Sequence, residues 1–343
     1  MRHLLIYLLM IPMFFSTQRL MAGEVVAGHE VAKESVLRAI PQEYIDKARQ
    51  TLHIAYQHTS HGTQVAHGMY GLQEYKNGDD VLFGIQNEGW AQAGNGKLDF
   101  HDYAINKYPY NNNVPSASDL SVNETAFLQL TRNYLDHEDN QDINVVMWSW
   151  CNIAGHDVEG NYLPNMRKLI EEYGPDGSKV LSGARKTPVT FIFMTGHANY
   201  NNNIGDGNPK NQAELIVDYC RRNGFYCLDY YSIDSHDMAG HAWDDAGDDG
   251  NSPTGGKFYQ SWQDSHEEGV HWYRNKISPY GNVTTGEGHN TQYITANRKA
   301  YAMWWILARI AGWDGGTSDP DPDPDPQPTT TSTALQGSYL LLR

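Results

Sequence analysis

Five short apolar runs punctuate the chain, each bounded by polar or small residues: His53–Gln57, Val81–Ile85, Ile143–Trp150, Val189–Thr195 and Phe225–Tyr231. They are rich in β-branched and aromatic side chains and nearly continuous in hydrophobicity, the pattern of strands buried on both faces. Stretches with helical spacing of apolar positions lie between and after them, over Tyr162–Tyr173, Asn211–Arg222 and Asn297–Ala311. Pro209 precedes the second of these, and Gly224 and Gly312 follow the second and third, as start and stop residues do. Strands interleaved with helices predict an α/β fold: a single doubly wound, flavodoxin-like parallel sheet with helices on both faces. The segment Ser235–Pro279, dense in Asp, Gly, His and Trp, breaks the alternation. It reads as a long loop insertion, of the kind that is either functional or disordered.

The ends of the chain carry different signals. Met1-Arg2-His3, an apolar stretch from Leu4 to Ser16 and a small residue at Ala22 predict a signal peptide over 1–22. The stretch is short for a span of about 20 residues. Residues 23–315 form the expected folded domain. In 316–343, Asp-Pro repeats from Asp319 to Pro326 and a Thr/Ser run form neither helix nor ladder and predict an extended linker tail. The mature protein is therefore expected outside the cytoplasm, periplasmic or extracellular, with no membrane insertion once the signal is removed. A net charge of -16 argues against nucleic acid or an anionic membrane surface as partner, since both need a basic patch. Of three cysteines, Cys220 and Cys227 could bridge a helix end to the next strand or remain two buried thiols. Cys151 is left without a partner in either case.

The most informative position is Ser60. In His53-Ile54-Ala55-Tyr56-Gln57-His58-Thr59-Ser60-His61-Gly62 an apolar run stops at small and polar residues, so that a serine stands just past the carboxyl end of an early strand. Ligand crevices of open α/β sheets lie there. At the other end of the chain, Glu287-Gly288-His289 precedes the last predicted helix. A serine hydroxyl needs a histidine to take its proton, and the histidine needs a partner that fixes its tautomer. Ser60, His289 and Glu287 are the candidates for these roles.

In the order of its blocks the chain resembles the SGNH, or GDSL-like, hydrolase superfamily. Its first block, at the end of the first strand, corresponds to His58-Thr59-Ser60. Its third corresponds to Trp150-Cys151-Asn152 and its last to His289 before the final helix. Gly89 or Gly84 is the glycine of the second. The resemblance implies that Ser60 is the nucleophile and that its amide, a glycine amide and the Asn152 side chain stabilise the oxyanion of an acyl transfer. Three departures stand out. His58 and Thr59 replace Gly and Asp, Trp150 stands where the third block has Gly, and Gly286 occupies the place of the usual acid, leaving Glu287 as the substitute.

Fifteen histidines, among them His58, His61, His67, His156, His197, His236 and His241, raise the alternative of a zinc-dependent hydrolase. No His-Glu-x-x-His helix is present, however, and the expectation is a site without metal or cofactor. Asp244, Asp245, Asp248, Asp249 and Asn251 lack the EF-hand spacing and read as a solvated loop. Aromatic residues crowd the loops (Trp90, Tyr108, Tyr110, Trp243, Tyr259, Trp262, Trp272, Tyr273) and could pack on the C–H faces of sugars. The sequence thus predicts a secreted serine esterase acting on a small-molecule or polysaccharide ester. The alternative from another class is a carbohydrate-binding or surface module that keeps the fold without the chemistry.

Overall fold

The computed structural model describes residues 24–86, 96–284, 287–289 and 291–316. Among them an α/β fold is built on one all-parallel sheet of seven strands: β1 (Val26–Ala27), β2 (His53–Gln57), β3 (Ile85–Gln86), β4 (Leu98–Asp102), β5 (Val145–Trp148), β6 (Thr190–Met194) and β7 (Cys227–Leu228). Their order is β1-β7-β6-β5-β2-β4-β3. The central run β4-β2-β5-β6-β7 has the predicted doubly wound order. The chain moves from β2 outward to β4, then returns to the other flank of β2 as β5. The carboxyl ends of β2 and β5 therefore frame the point where the winding reverses, the usual place of a ligand crevice in such sheets.

Alternation along the strands divides the interior into two cores. Ile54, Tyr56, Val145, Met147, Ile192 and Met194 face one side, packed with the helices Gln42–Thr51, Thr63–Leu72 and Tyr293–Ile310. Ala55, Val146, Trp148, Phe191 and Phe193 face the other, against Ala126–Asp136, Leu163–Tyr173 and Pro209–Asn223. Because both faces are covered, the central strand β5 reads as an unbroken apolar run. No helix among the described residues is long and apolar enough to cross a membrane.

Several sequence expectations are corrected. Val81–Ile85 is not a strand: Asp79–Leu82 forms one helical turn with Val81 65% exposed, and pairing starts only at Ile85. The neighbour of β2 is β4, whose polar Asp99 and His101 hid it. They are held by His53, which bonds the Asp99 Oδ2 at 2.7 Å, and by Tyr134, which meets His101 at 3.1 Å. Phe225–Tyr231 shrinks to Cys227–Leu228, and Tyr230–Ser235 is helical. The segment 235–279 holds the helix Phe258–Ser265 and a hairpin pairing Asn251–Ser252 with Gly256–Lys257. Cys220 and Cys227 are both buried and unbridged. Residues 1–22 and the tail beyond 316 lie outside the described residues.

One close approach positions the site. The helix after Ser60 (Thr63–Leu72) and the helix after His289 (Tyr293–Ile310) pack along each other so tightly that a Cβ at Gly68 would lie 2.1 Å from the Ala296 carbonyl oxygen. Only glycine allows that contact, and it sets the two turns that precede these helices side by side.

Candidate active site

Past β2 the chain turns through His58 and Thr59 into a single 3-10 turn, Ser60–Gly62, that runs into the helix Thr63–Leu72. Ser60 opens the turn with φ +48°, a left-handed conformation that non-glycine residues seldom hold and that clusters at functional sites. Its amide, first in the turn, has no acceptor within the turn itself. The half-buried Ser60 hydroxyl lies 3.1 Å from the Nε2 of His289, a residue 229 positions away. His289 is exposed and also has a left-handed backbone, at φ +60°. Gly288 beside it, at φ +65°, presses on Ser60, and a Cβ there would stand 2.6 Å from the Ser60 carbonyl oxygen.

A buried polar chain holds this turn. Gln64 donates through Nε2 to the Gly288 carbonyl at 2.7 Å and accepts from Lys299 Nζ at 2.5 Å. Lys299 in turn pairs with Asp234 at 2.7 Å, both fully buried. Burial pushes Asp234 up to about 7, with Lys299 opposing. On the other flank His58 Nε2 meets Asp102 Oδ1 at 2.5 Å, and Tyr70 donates to Asp102 Oδ2 at 2.6 Å. This ties the end of β2 to the end of β4, so His58, which replaces glycine in the first block, has a structural task.

Of the remaining predicted residues, Asn152 stands at the same edge, exposed, beyond β5. Its amide donates to Ser121 Oγ at 2.8 Å and its Oδ1 accepts from the Ala154 amide at 3.0 Å, which fixes the side chain in a local turn. Gly84 precedes β3, which runs parallel to β4. It therefore sits at the amino edge of the sheet, opposite Ser60, and is no oxyanion donor. Gly89 and the side chain of Glu287 lie outside the described residues. No carboxylate among the described residues pairs with His289. Tyr259, Tyr273 and Tyr108 are buried, so part of the loop aromatic content belongs to the core.

A second group of side chains gathers beside this pair: His61 and His197, named from the sequence as alternative metal ligands, Asp248, read there as part of a solvated loop, and Cys151, left there as an unpaired thiol. His61 is buried and lies flat between two other imidazoles, 3.8 Å from His197 and 4.2 Å from His289 by ring centroids. Its Nε2 is 2.6 Å from Asp248 Oδ2 and its Nδ1 is 3.2 Å from Cys151 Sγ. His197 follows β6, and Asp248 is delivered by the loop after residue 244. That loop is anchored where Asn203 donates to the Asp244 and Ala246 carbonyls at 2.9 and 2.8 Å. The donor atoms of His61, Cys151 and His289, and those of His61, His197 and Asp248, each lie within 4.8 Å of one another. Ring geometry speaks against a shared ion. The lone pair of an imidazole lies in its plane, and these rings are parallel to within 10° and 7°. Stacked parallel lone pairs run side by side and do not converge on an ion about 2.0 Å from each nitrogen.

Burial holds His61 down at about 4, against the Asp248 hydrogen bond, and holds the neighbouring His67 at about 4 as well. Both rings are then neutral at pH 7. In a histidine NMR titration the His61 and His67 signals are expected to keep their neutral positions down to pH 5.5, with midpoints near 4. A midpoint at the ordinary value for His61, about 6.5, would place that ring in water.

Comparison with family models, with curated proteins and with solved structures gives no match for this chain.

Proposed function

We propose that this protein is an exported hydrolase that cleaves an ester, with Ser60 as nucleophile and His289 as its base. The observation that carries the reading is the 3.1 Å contact between Ser60 Oγ and His289 Nε2 at the carboxyl edge of the sheet. In the reaction His289 takes the Ser60 proton as Oγ attacks the carbonyl. The resulting oxyanion would face the start of the 60–62 turn, where the Ser60 amide, with no acceptor within the turn, is a natural donor. His289 then protonates the leaving alcohol, and water releases the acid in the mirror-image second half.

A carbohydrate ester suits the rim. Tyr103, beyond β4, is 45% exposed, and Tyr200, beyond β6, is 37% exposed. Both rings stand at the carboxyl edge, with Asp248 and Asp249 between Tyr200 and the site. Apolar ring faces beside carboxylates fit a neutral or cationic sugar and disfavour an anionic one. A binding module on the same fold is the second reading, favoured by the departures His58, Thr59 and Trp150 from the blocks of the resembled superfamily.

The test is a fluorophosphonate probe together with turnover of p-nitrophenyl acetate. The expected result is hydrolysis that a chelator leaves unchanged and one probe molecule on Ser60, located by peptide mass spectrometry. A protein that neither turns over nor takes the probe, yet is retained by a polysaccharide, is a binding module. Activity abolished by the chelator alone would reject the serine mechanism.

A further inference from the structure

Cys151 stands in a catalytic setting of its own. Its sulfur faces His61 Nδ1 at 3.2 Å, and His61 Nε2 faces Asp248 Oδ2 at 2.6 Å. Nucleophile, base and orienting acid are thus in line, contributed by the end of β5, the turn after β2 and the loop after residue 244. The tautomer follows from the acid. Burial would raise Asp248, but the His61 hydrogen bond and charge outweigh it and hold the carboxyl below its usual range. An ionised Asp248 accepts a hydrogen bond from the Nε2–H of His61, which keeps the proton on Nε2 and leaves Nδ1 as the acceptor turned toward the thiol. Ser60 and the His61 backbone favour a thiolate and oppose the burial that raises the Cys151 thiol. His197, stacked on the far face of His61, bonds the Ala198 carbonyl at 2.6 Å and keeps the ring from turning.

We propose that Cys151, His61 and Asp248 form a second catalytic triad that takes acyl groups from ester or thioester donors onto the Cys151 sulfur. His61 Nδ1 accepts the thiol proton while the sulfur attacks the acyl carbonyl. A C–S bond forms, the C–O or C–S bond to the leaving group breaks, and the leaving group departs with the proton from His61. Water, deprotonated by His61, then cleaves the thioester to carboxylic acid and thiol, so no oxidant or reductant enters. Because burial keeps His61 neutral and raises the Cys151 thiol, the resting pair is thiol and imidazole. The proton moves only with the attack, so reactivity depends on His61 and Asp248 throughout. Cys151 meets His61 and Ser60 meets His289, and these two rings stack 4.2 Å apart, so both nucleophiles reach the same bound acyl group. The proposal shares the pocket of the Ser60 reading but does not require Ser60 to react.

The experiment is single-turnover acetylation by p-nitrophenyl acetate, with the acetyl group located by peptide mass spectrometry. In Ser60→Ala the acetyl group is expected on Cys151 and is released by neutral hydroxylamine, as a thioester is. In Ser60→Ala/Asp248→Asn the rate falls roughly a hundredfold, the low end of what a positioned base contributes. Buried Cys220 and Cys227 serve as internal controls that stay unmodified. Alkylation of wild-type Cys151 by iodoacetamide, compared with Asp248→Asn alone, reads the same dependence without touching Ser60. Equal rates with and without Asp248, in either assay, overturn the proposal. Acetyl on Ser60 of the wild type with Cys151 unmodified in Ser60→Ala also overturns it, and leaves the Ser60 reading intact. Acetyl on Cys151 with Ser60 never labelled does the reverse.

Discussion

In a Cys151→Ala background, Ser60→Ala is expected to lower kcat for p-nitrophenyl acetate by roughly 10⁴-fold or more, with KM little changed, because it removes the atom that forms the acyl bond and leaves the pocket in place. That loss corresponds to about 5.4 kcal/mol of transition-state stabilisation. His289→Gln should lose a similar factor, and the double variant little more than either, since nucleophile and base act as one unit. A stability control separates chemistry from folding. Ser60 holds φ +48°, a conformation that costs an ordinary residue about 1 kcal/mol or more and glycine almost nothing. Ser60→Gly is therefore expected to be as inactive as Ser60→Ala, yet at least as stable as the wild type in thermal unfolding. An inactive Ser60→Gly that also melts early would mean that the hydroxyl serves the fold. Retained turnover in both variants would remove Ser60 from the mechanism.

How far the sequence led to this site depended on how local each signal was. Ser60 and His289 were legible because each stands where an element changes, one after an apolar run and the other before an apolar helix. The parallel sheet was legible where its strands are apolar on both faces, as at Ile54, Ala55 and Tyr56. The strand β4 was not, because Asp99 and His101 satisfy each other, with His53 and Tyr134 completing the set. A polar network reads as a loop until its partners are known. Val81 misled for the opposite reason: it is an apolar residue on the exposed side of a helical turn. Asp248 was the least legible, since it comes from a segment with no periodicity and acquires its role only through a contact with His61, 187 positions away. His61 was one of several histidines that raised a metal alternative, and the stacking of three parallel rings speaks against an ion shared among them.

The buried pair beneath the site gives the largest expected change in stability. Lys299 and Asp234 are 0% exposed and lie 2.7 Å apart, so Lys299→Met strands a carboxyl with its main partner gone. Breaking such a pair costs about 3–5 kcal/mol, a fall in melting temperature of roughly 10 °C for a domain of this size. Lys299→Met/Asp234→Leu removes the stranded group too, and should recover most of the loss, as apolar replacements of whole buried pairs commonly do. Activity should not follow stability. Lys299 also donates to Gln64, which holds the Gly288 carbonyl and with it the His289 ring. In the double variant Gln64 has lost that anchor, and a displacement of His289 by about 1 Å costs on the order of a hundredfold in rate. The measurements are thermal unfolding and ester turnover on the same three proteins. A double variant that recovers both would limit Lys299 to the core. Recovered stability with turnover still low makes the Lys299–Gln64–Gly288 chain the device that keeps His289 on Ser60.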